Sequence, residues 1–186
     1  MRSAEVDILF VPGWTGSGPD HWQTRWQARL PTASRVEQDD WERPDAALWT
    51  QRVVEATAQA RRPVVFVAHS LGVHAVVRAA PRFAGTNVIG AFLVAPPAPV
   101  AIRDRPAIDP AFAQIPTEPL PFPGVVVLSR TDPYCPYEQG LDMAHDWGMS
   151  PTDAGESGHI NSLSGHGPWP EGLMRFAGFL KGLRAS

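Results

Sequence analysis

The sequence predicts an α/β fold: a compact three-layer sandwich in which a mostly parallel sheet of about six strands carries helices on both faces, with no cap domain. Three observations carry this expectation. Asp7–Val11, Val64–Ala68, Val88–Ala95 and Val125–Ser129 are nearly continuous apolar runs, as strands covered on both faces require, and lack the alternation of a half-exposed sheet. Segments with apolar residues at helical spacing lie between them, so strand and helix alternate. The 186 residues suit one core, since a compact fold of that size buries about 70% of its unfolded surface, and neither a repeat nor a linker divides the chain. One domain spanning residues 1–186 is expected.

Taken in order, Asp7–Val11 is stopped by Pro12-Gly13 and reads as a central strand feeding a loop. The loop 12–18 is glycine-rich, as it must be if its backbone N–H groups are to approach a substrate oxygen closely. It has neither the lysine of G-x-x-x-x-G-K-S/T nor G-x-G-x-x-G spacing, which argues against a nucleotide site. Residues 19–30 can form a helix with Ser17 or Asp20 near its start and Trp22, Trp26 and Leu30 on one face. His21 is read there as structural. Residues 34–38 are weakly apolar and polar enough for an edge strand. A helix over 45–60 is expected to bury Leu48, Trp49, Val53, Ala56 and Ala60, and Pro63 ends it before the next strand.

The strand Val64–Ala68 runs through His69 into Ser70, and a helix over 71–80 follows, with Val73, Val76 and Val77 inward and Pro81 as its stop. A serine on that sharp strand-to-helix turn is lifted clear of the sheet, while the helix offers free N–H groups and its positive dipole end to a developing oxyanion. Ser70 is therefore the candidate nucleophile. The G-x-S-x-G pattern is met at Ser70 and Gly72, with Ala68 where the first glycine usually stands. The same residues would also suit an ordinary helix-capping serine. After the strand 88–95, residues 96–123 hold nine of the chain's 20 prolines and predict a loop with at most a short helix near 110–114. That leaves room for a flap over a shallow, open site. Beyond the strand 125–129, Asp132 falls just past the C-terminal end, where an acid partner belongs. A helix over 137–147, a short strand over 149–152, a loop holding His159 and an amphipathic helix over 170–183 complete the chain.

Composition narrows the class. A formal net charge of −3 gives no basic field for nucleic acid or anionic lipid, so a small-molecule substrate is expected, with neither nucleic acid nor membrane as partner; nothing in the sequence sets an oligomeric state. The first residues run directly into a strand without an apolar leader, and no run reaches membrane-spanning length, so a cytoplasmic location is expected. Cys135 is alone, which leaves no disulfide framework and no cysteine zinc site, and no cofactor or metal is called for.

Ser70, Asp132 and His159 thus follow separate strands in the order Ser, Asp, His that α/β-hydrolases use. The chemistry needs all three: a base to take the serine proton and an acid to orient the imidazole. His166 is the second choice for the base. The expected oxyanion donors are the backbone N–H of Leu71 and that of Trp14 in the first loop. Asp20-His21-Trp22, Gln38-Asp39-Asp40-Trp41 with Pro44, Ala68-His69-Ser70-Leu71-Gly72, Gly158-His159-Ile160-Asn161 and Trp169-Pro170-Glu171-Gly172 together resemble the retinoblastoma-binding protein nine family of small, lidless serine hydrolases. The resemblance covers nearly the whole chain. It implies a capless sheet and a triad at Ser70, Asp132 and His159, and it supplies no substrate. No L-x-C-x-E motif surrounds Cys135, so no retinoblastoma-type partner is carried over. The function expected is cleavage of a small ester or amide through an acyl-enzyme, as a carboxylesterase or an amidase or peptidase-like enzyme would do. The alternative is a hydrolase fold serving as a binding module with an idle triad.

Overall fold

Six strands pair side by side in the order β2-β1-β3-β4-β5-β6: β1 (Asp7–Val11), β2 (Ala33–Arg35), β3 (Val64–His69), β4 (Val88–Val94), β5 (Gly124–Leu128) and β6 (Ser150–Asp153). The structure, a computed structural model, describes residues 1–183. All five pairings are parallel. The helices are α1 (Trp22–Gln27), α2 (Ala46–Ala58), α3 (Leu71–Ala79), α4 (Pro99–Arg103), α5 (Tyr137–Asp146) and α6 (Pro170–Gly182). The compact α/β architecture is the one expected, without a cap domain, and the short polar strand β2 lies at a sheet edge.

Strand side chains alternate between two cores because successive residues point to opposite faces. Leu9, Val11, Phe66, Ala68, Ala91 and Leu93 face one side and pack with Trp49 and Val53 of α2, Val73 and Val76 of α3, Ile102 of α4 and Met143 of α5. Ile8, Phe10, Val65, Val67, Phe92 and Val94 face the other, under Trp22 and Trp26 of α1 and Phe176 and Leu180 of α6. On that side the Trp26 ring stacks on Trp169 at 5.5 Å and 12°. Offset aromatic contacts of this kind add to burial and lock α6 against α1.

Three elements differ from the sequence reading. The first helix is shorter, starting at Trp22 with His21 as its N-cap, because Ser17 and Asp20 are engaged elsewhere: the Ser17 hydroxyl donates to Gln23 Oε1 at 2.6 Å, and Asp20 pairs with Arg25 at 2.8 Å. Leu48 is 52% exposed; the buried stripe of α2 is Ala46, Trp49, Val53 and Thr57. The proline-rich stretch 96–123 holds two helical pieces, α4 and a 3-10 turn at Pro110–Ala113, each with proline in its first turn, where the missing N–H costs nothing. Ile102, Ile108 and Phe112 bury that segment against the core.

Gln23, wholly buried, ties α1 to the sheet beneath the C-terminal ends of two central strands. Its amide donates to the carbonyl oxygens of Val67 at 3.0 Å and Val11 at 3.3 Å while its oxygen accepts from Ser17. Gln23→Leu keeps the volume and strands these buried polar groups, so the unfolding free energy should fall by roughly 1–3 kcal/mol. Denaturant titration should show a lower midpoint at an unchanged slope, whereas Met174→Ala, at an exposed site, should shift stability by less than about 0.5 kcal/mol. Equal midpoints for the two variants would contradict the role given to Gln23.

Candidate active site

Four of the strands deliver residues to one edge of the sheet. At the end of β3 the chain reverses at Ser70, whose φ of 55° and ψ of −129° lie in a region that side-chain-bearing residues rarely adopt. The turn is held by main-chain bonds: Ser70 N–H donates to the Val94 carbonyl at 2.9 Å, and the Ser70 carbonyl accepts from Val73 at 2.9 Å. Although Ser70 immediately precedes α3, its hydroxyl makes no capping bond; it lies 2.8 Å from His159 Nε2. This separates Ser70 from an ordinary helix-capping serine. Two glycines let the β1 loop approach. A methyl at Gly13 would sit 2.7 Å from Ser70 Cβ, and one at Gly72 would run into the carbonyl oxygens of Val11 and Pro12. Ala68 lies within β3, buried and paired with Val11 and Leu93, so its methyl is accommodated in the core.

The other two candidates meet Ser70 from β5 and β6. His159 Nδ1 stands 3.0 Å from both carboxylate oxygens of Asp132, and the two side chains are only 7% and 3% exposed. Asp132 Oδ1 also accepts the Tyr134 N–H at 2.9 Å, so the carboxylate is fixed from a second direction. The histidine loop is pinned along its length: Ser157 N–H donates to Ser129 Oγ, Gly158 N–H to Thr131 Oγ1, and the Trp22 indole to the Ile160 carbonyl. His166 is not brought to Ser70; its Nδ1 lies 3.2 Å from Ser164 Oγ and its ring abuts Trp169.

Behind the imidazole lies a layer that the sequence reading did not anticipate. The His69 ring is 4.9 Å from that of His159, and the His21 ring is 4.8 Å from His69. His69 Nε2–H donates to the His159 carbonyl at 2.9 Å, which joins the residue before Ser70 to the loop carrying the base candidate. His21 Nδ1 accepts the Gln23 N–H, which puts the proton of its neutral form on Nε2. Burial holds His69 well below the usual histidine range and takes His21 to about 4, with the charges of nearby groups a smaller influence. His21 therefore caps α1, as a structural residue would, and also lines the cavity beside Ser70.

That cavity, of about 490 Å³, is bounded by the loop Gly13–Gly16, by Ser70 and Leu71, by Pro97, Ile102 and Ile108 from the proline-rich stretch, and by Tyr134 and His159. At the expected oxyanion position, Leu71 opens α3, so its N–H has no acceptor within the helix. Trp14 is held in the facing loop by its indole N–H to the Glu42 carbonyl at 3.0 Å, and the adjacent Thr15 N–H donates to the Trp41 carbonyl. Among the described residues no cluster of three or more His, Cys, Asp or Glu is placed to hold a metal, and no helix is long and apolar enough to cross a membrane.

Comparison with known proteins agrees with this architecture. The family model for serine hydrolases matches residues 8–178, and the chain belongs to that family. It is similar to a protein of Pectobacterium atrosepticum described as YdeN-like hydrolase, with 30% identity, a TM-score of 0.83 and coverage of 96% of this chain and 92% of that one. The ydeN gene product of B. subtilis shares the fold at 18% identity and TM-score 0.76, covering 94% and 98% of the two chains. A hydrolase of the alpha/beta superfamily from Xanthomonas campestris does so at 22% identity and TM-score 0.66, covering 94% and 97%. No curated protein sequence matches. The chain is thus an α/β hydrolase of the small, lidless type, as its motifs suggested.

The buried histidines make a pH prediction. His21, His69 and His74 all have folded pKa values below the ordinary 6.5, with burial as the main cause. The unfolded chain then binds these protons more readily, so stability present above pH 6.5 is lost progressively as pH falls through about 4. Denaturant unfolding across this window should show a positive slope of stability against pH, and NMR should find the His21 ring titrating near 4. A flat profile with His21 titrating near 6.5 would contradict the burial account.

Proposed function

We propose that the protein hydrolyses a small ester or amide through an acyl-enzyme, with Ser70 as nucleophile, His159 as general base and acid, and Asp132 as the group that orients the imidazole. The observation that supports this best is the unbroken chain Ser70 Oγ, His159 Nε2, His159 Nδ1, Asp132 carboxylate, with links of 2.8 and 3.0 Å. Ser70 Oγ attacks the acyl carbon as its proton passes to His159 Nε2, and Asp132 stabilises the imidazolium that forms. The developing oxyanion is received by the N–H groups of Leu71 and Trp14, aided by the N-terminus of α3. His159 then returns the proton to the leaving group. Water enters by the same route in reverse and frees the acid. Because His21 and His69 stay neutral, they place no positive charge against the imidazolium at its moment of formation.

The cavity suits short acyl groups. Its wall of Pro97, Ala101, Ile102 and Ile108 belongs to a segment packed on the core, with no cap to enclose a long chain. The idle-triad reading is less favoured because Ser70 holds an unfavourable backbone conformation that costs about 1–3 kcal/mol, a feature that accompanies working sites.

On an activated short-chain ester, Ser70→Ala should lose about 10⁶ in kcat, and the double variant with His159→Ala should be scarcely worse, since the residues act as one unit. Asp132→Asn should lose up to about 10⁴ while remaining folded. His166→Ala should retain most activity. Additive losses in the double variant, or loss in His166→Ala with full activity in His159→Ala, would contradict the assignment.

A further inference from the structure

The cavity beside Ser70 also contains a cation, Arg105. It lines the same cavity as Ser70 and His159, alongside Ile102, Ile108 and Tyr134. Its guanidinium lies 4.5 Å over the Tyr134 ring, and that ring meets the His159 imidazole edge-on at 4.6 Å. The cation is therefore separated from the imidazole by one aromatic side chain.

What sets Arg105 apart is its place in the lining of the cavity that holds Ser70 and His159. Arg25, Arg52, Arg62 and Arg130 each pair with a carboxylate within 3.0 Å, whereas Arg105, like several other arginines, has no carboxylate partner among the described residues. Its Nη1 donates to the Ala101 carbonyl, which anchors the side chain to α4 and leaves Nε and Nη2 without a protein acceptor among the described residues. Stacking on the tyrosine face keeps those in-plane donors at the guanidinium edge, where a carboxylate can take two of them at once. The rest of the lining is complementary to an anion. No Asp or Glu borders the cavity, and Asp132 is hidden behind His159.

We propose that the site selects small esters or amides bearing a carboxylate, bound by Arg105 while the scissile carbonyl meets Ser70. The apolar wall of Ile102 and Ile108 accommodates the short spacer between the two polar ends. This rests on the hydrolase reading for turnover, and its binding component can be measured independently of it.

The test uses the full chain and two substrate pairs: methyl butyrate against monomethyl succinate for an acyl carboxylate, and methyl 4-acetoxybenzoate against 4-acetoxybenzoate for a leaving-group carboxylate. Differences of intrinsic reactivity within a pair cancel when each variant's charged-to-neutral ratio is set against that of the wild type. In at least one pair, Arg105→Gln should lower the charged-to-neutral ratio of kcat/KM by about tenfold at low salt, mainly through KM. Arg105→Lys should restore part of the ratio. Arg103→Gln, an equal change of charge at an exposed neighbour that does not line the cavity, should leave it unmoved. Ratios unchanged by Arg105→Gln in both pairs, or charged and neutral esters falling together, would overturn the proposal. In the Ser70→Ala background, calorimetry with monomethyl succinate and with 4-acetoxybenzoate should show binding of at least one of them weakened about tenfold when Arg105→Gln is added. If wild-type protein turned over no ester yet this difference appeared, the hydrolysis reading would fail and the carboxylate site would stand. With no difference in binding, the site itself would fail.

Discussion

The site depends on how closely the β1 loop, the β3 turn and the start of α3 approach one another. Ser70 adopts its positive φ only because the surrounding main chain fixes it, and that main chain comes this close only because Gly13 and Gly72 lack side chains. Parallel pairing sets the distances: Val11 stands opposite Ala68, so the loops after β1 and β3 leave the sheet at one level. The proposed oxyanion donors, the N–H groups of Leu71 and Trp14, belong to these two loops, and both residues line the cavity. A sheet with its central strands out of register would separate them.

Around this elbow the protein spends its buried polar groups on position. Gln23 bridges α1 to β1 and β3. His69 links the Ser70 turn to the His159 carbonyl, and Tyr134 N–H secures Asp132. The Tyr134 bond is local, but the Gln23 and His69 contacts join elements distant in sequence, so the alignment of Ser70 with His159 follows from the whole fold. The same burial that makes these histidines good spacers makes their protonation costly, which couples acid stability to the site.

What the sequence disclosed follows from locality. Apolar runs, helix breaks and chain order are local signals, and they were enough for the parallel α/β fold and for placing Ser70, Asp132 and His159 in loops beyond separate strands. The edge-on and tilted ring contacts of His21, His69 and His159 join residues from three separate segments, and no spacing rule reports them. His21 as an N-cap was concealed because Ser17 and Asp20, better capping residues by type, are engaged by Gln23 and Arg25. The helix α4 was obscured by proline content, since Pro99 stops a helix by composition and starts one by position. Leu48 read as core from periodicity alone, although the α2 stripe centres on Trp49 and Val53.

The proposed chemistry requires Ser70 to be an activated nucleophile. Reaction of the native protein with a fluorophosphonate, followed by peptide mass spectrometry to locate the adduct, tests it directly. A single stoichiometric adduct on Ser70 is expected in the folded protein, and none in protein unfolded before the reagent is added. An unmodified Ser70 with the label elsewhere, or no labelling at all, would contradict it.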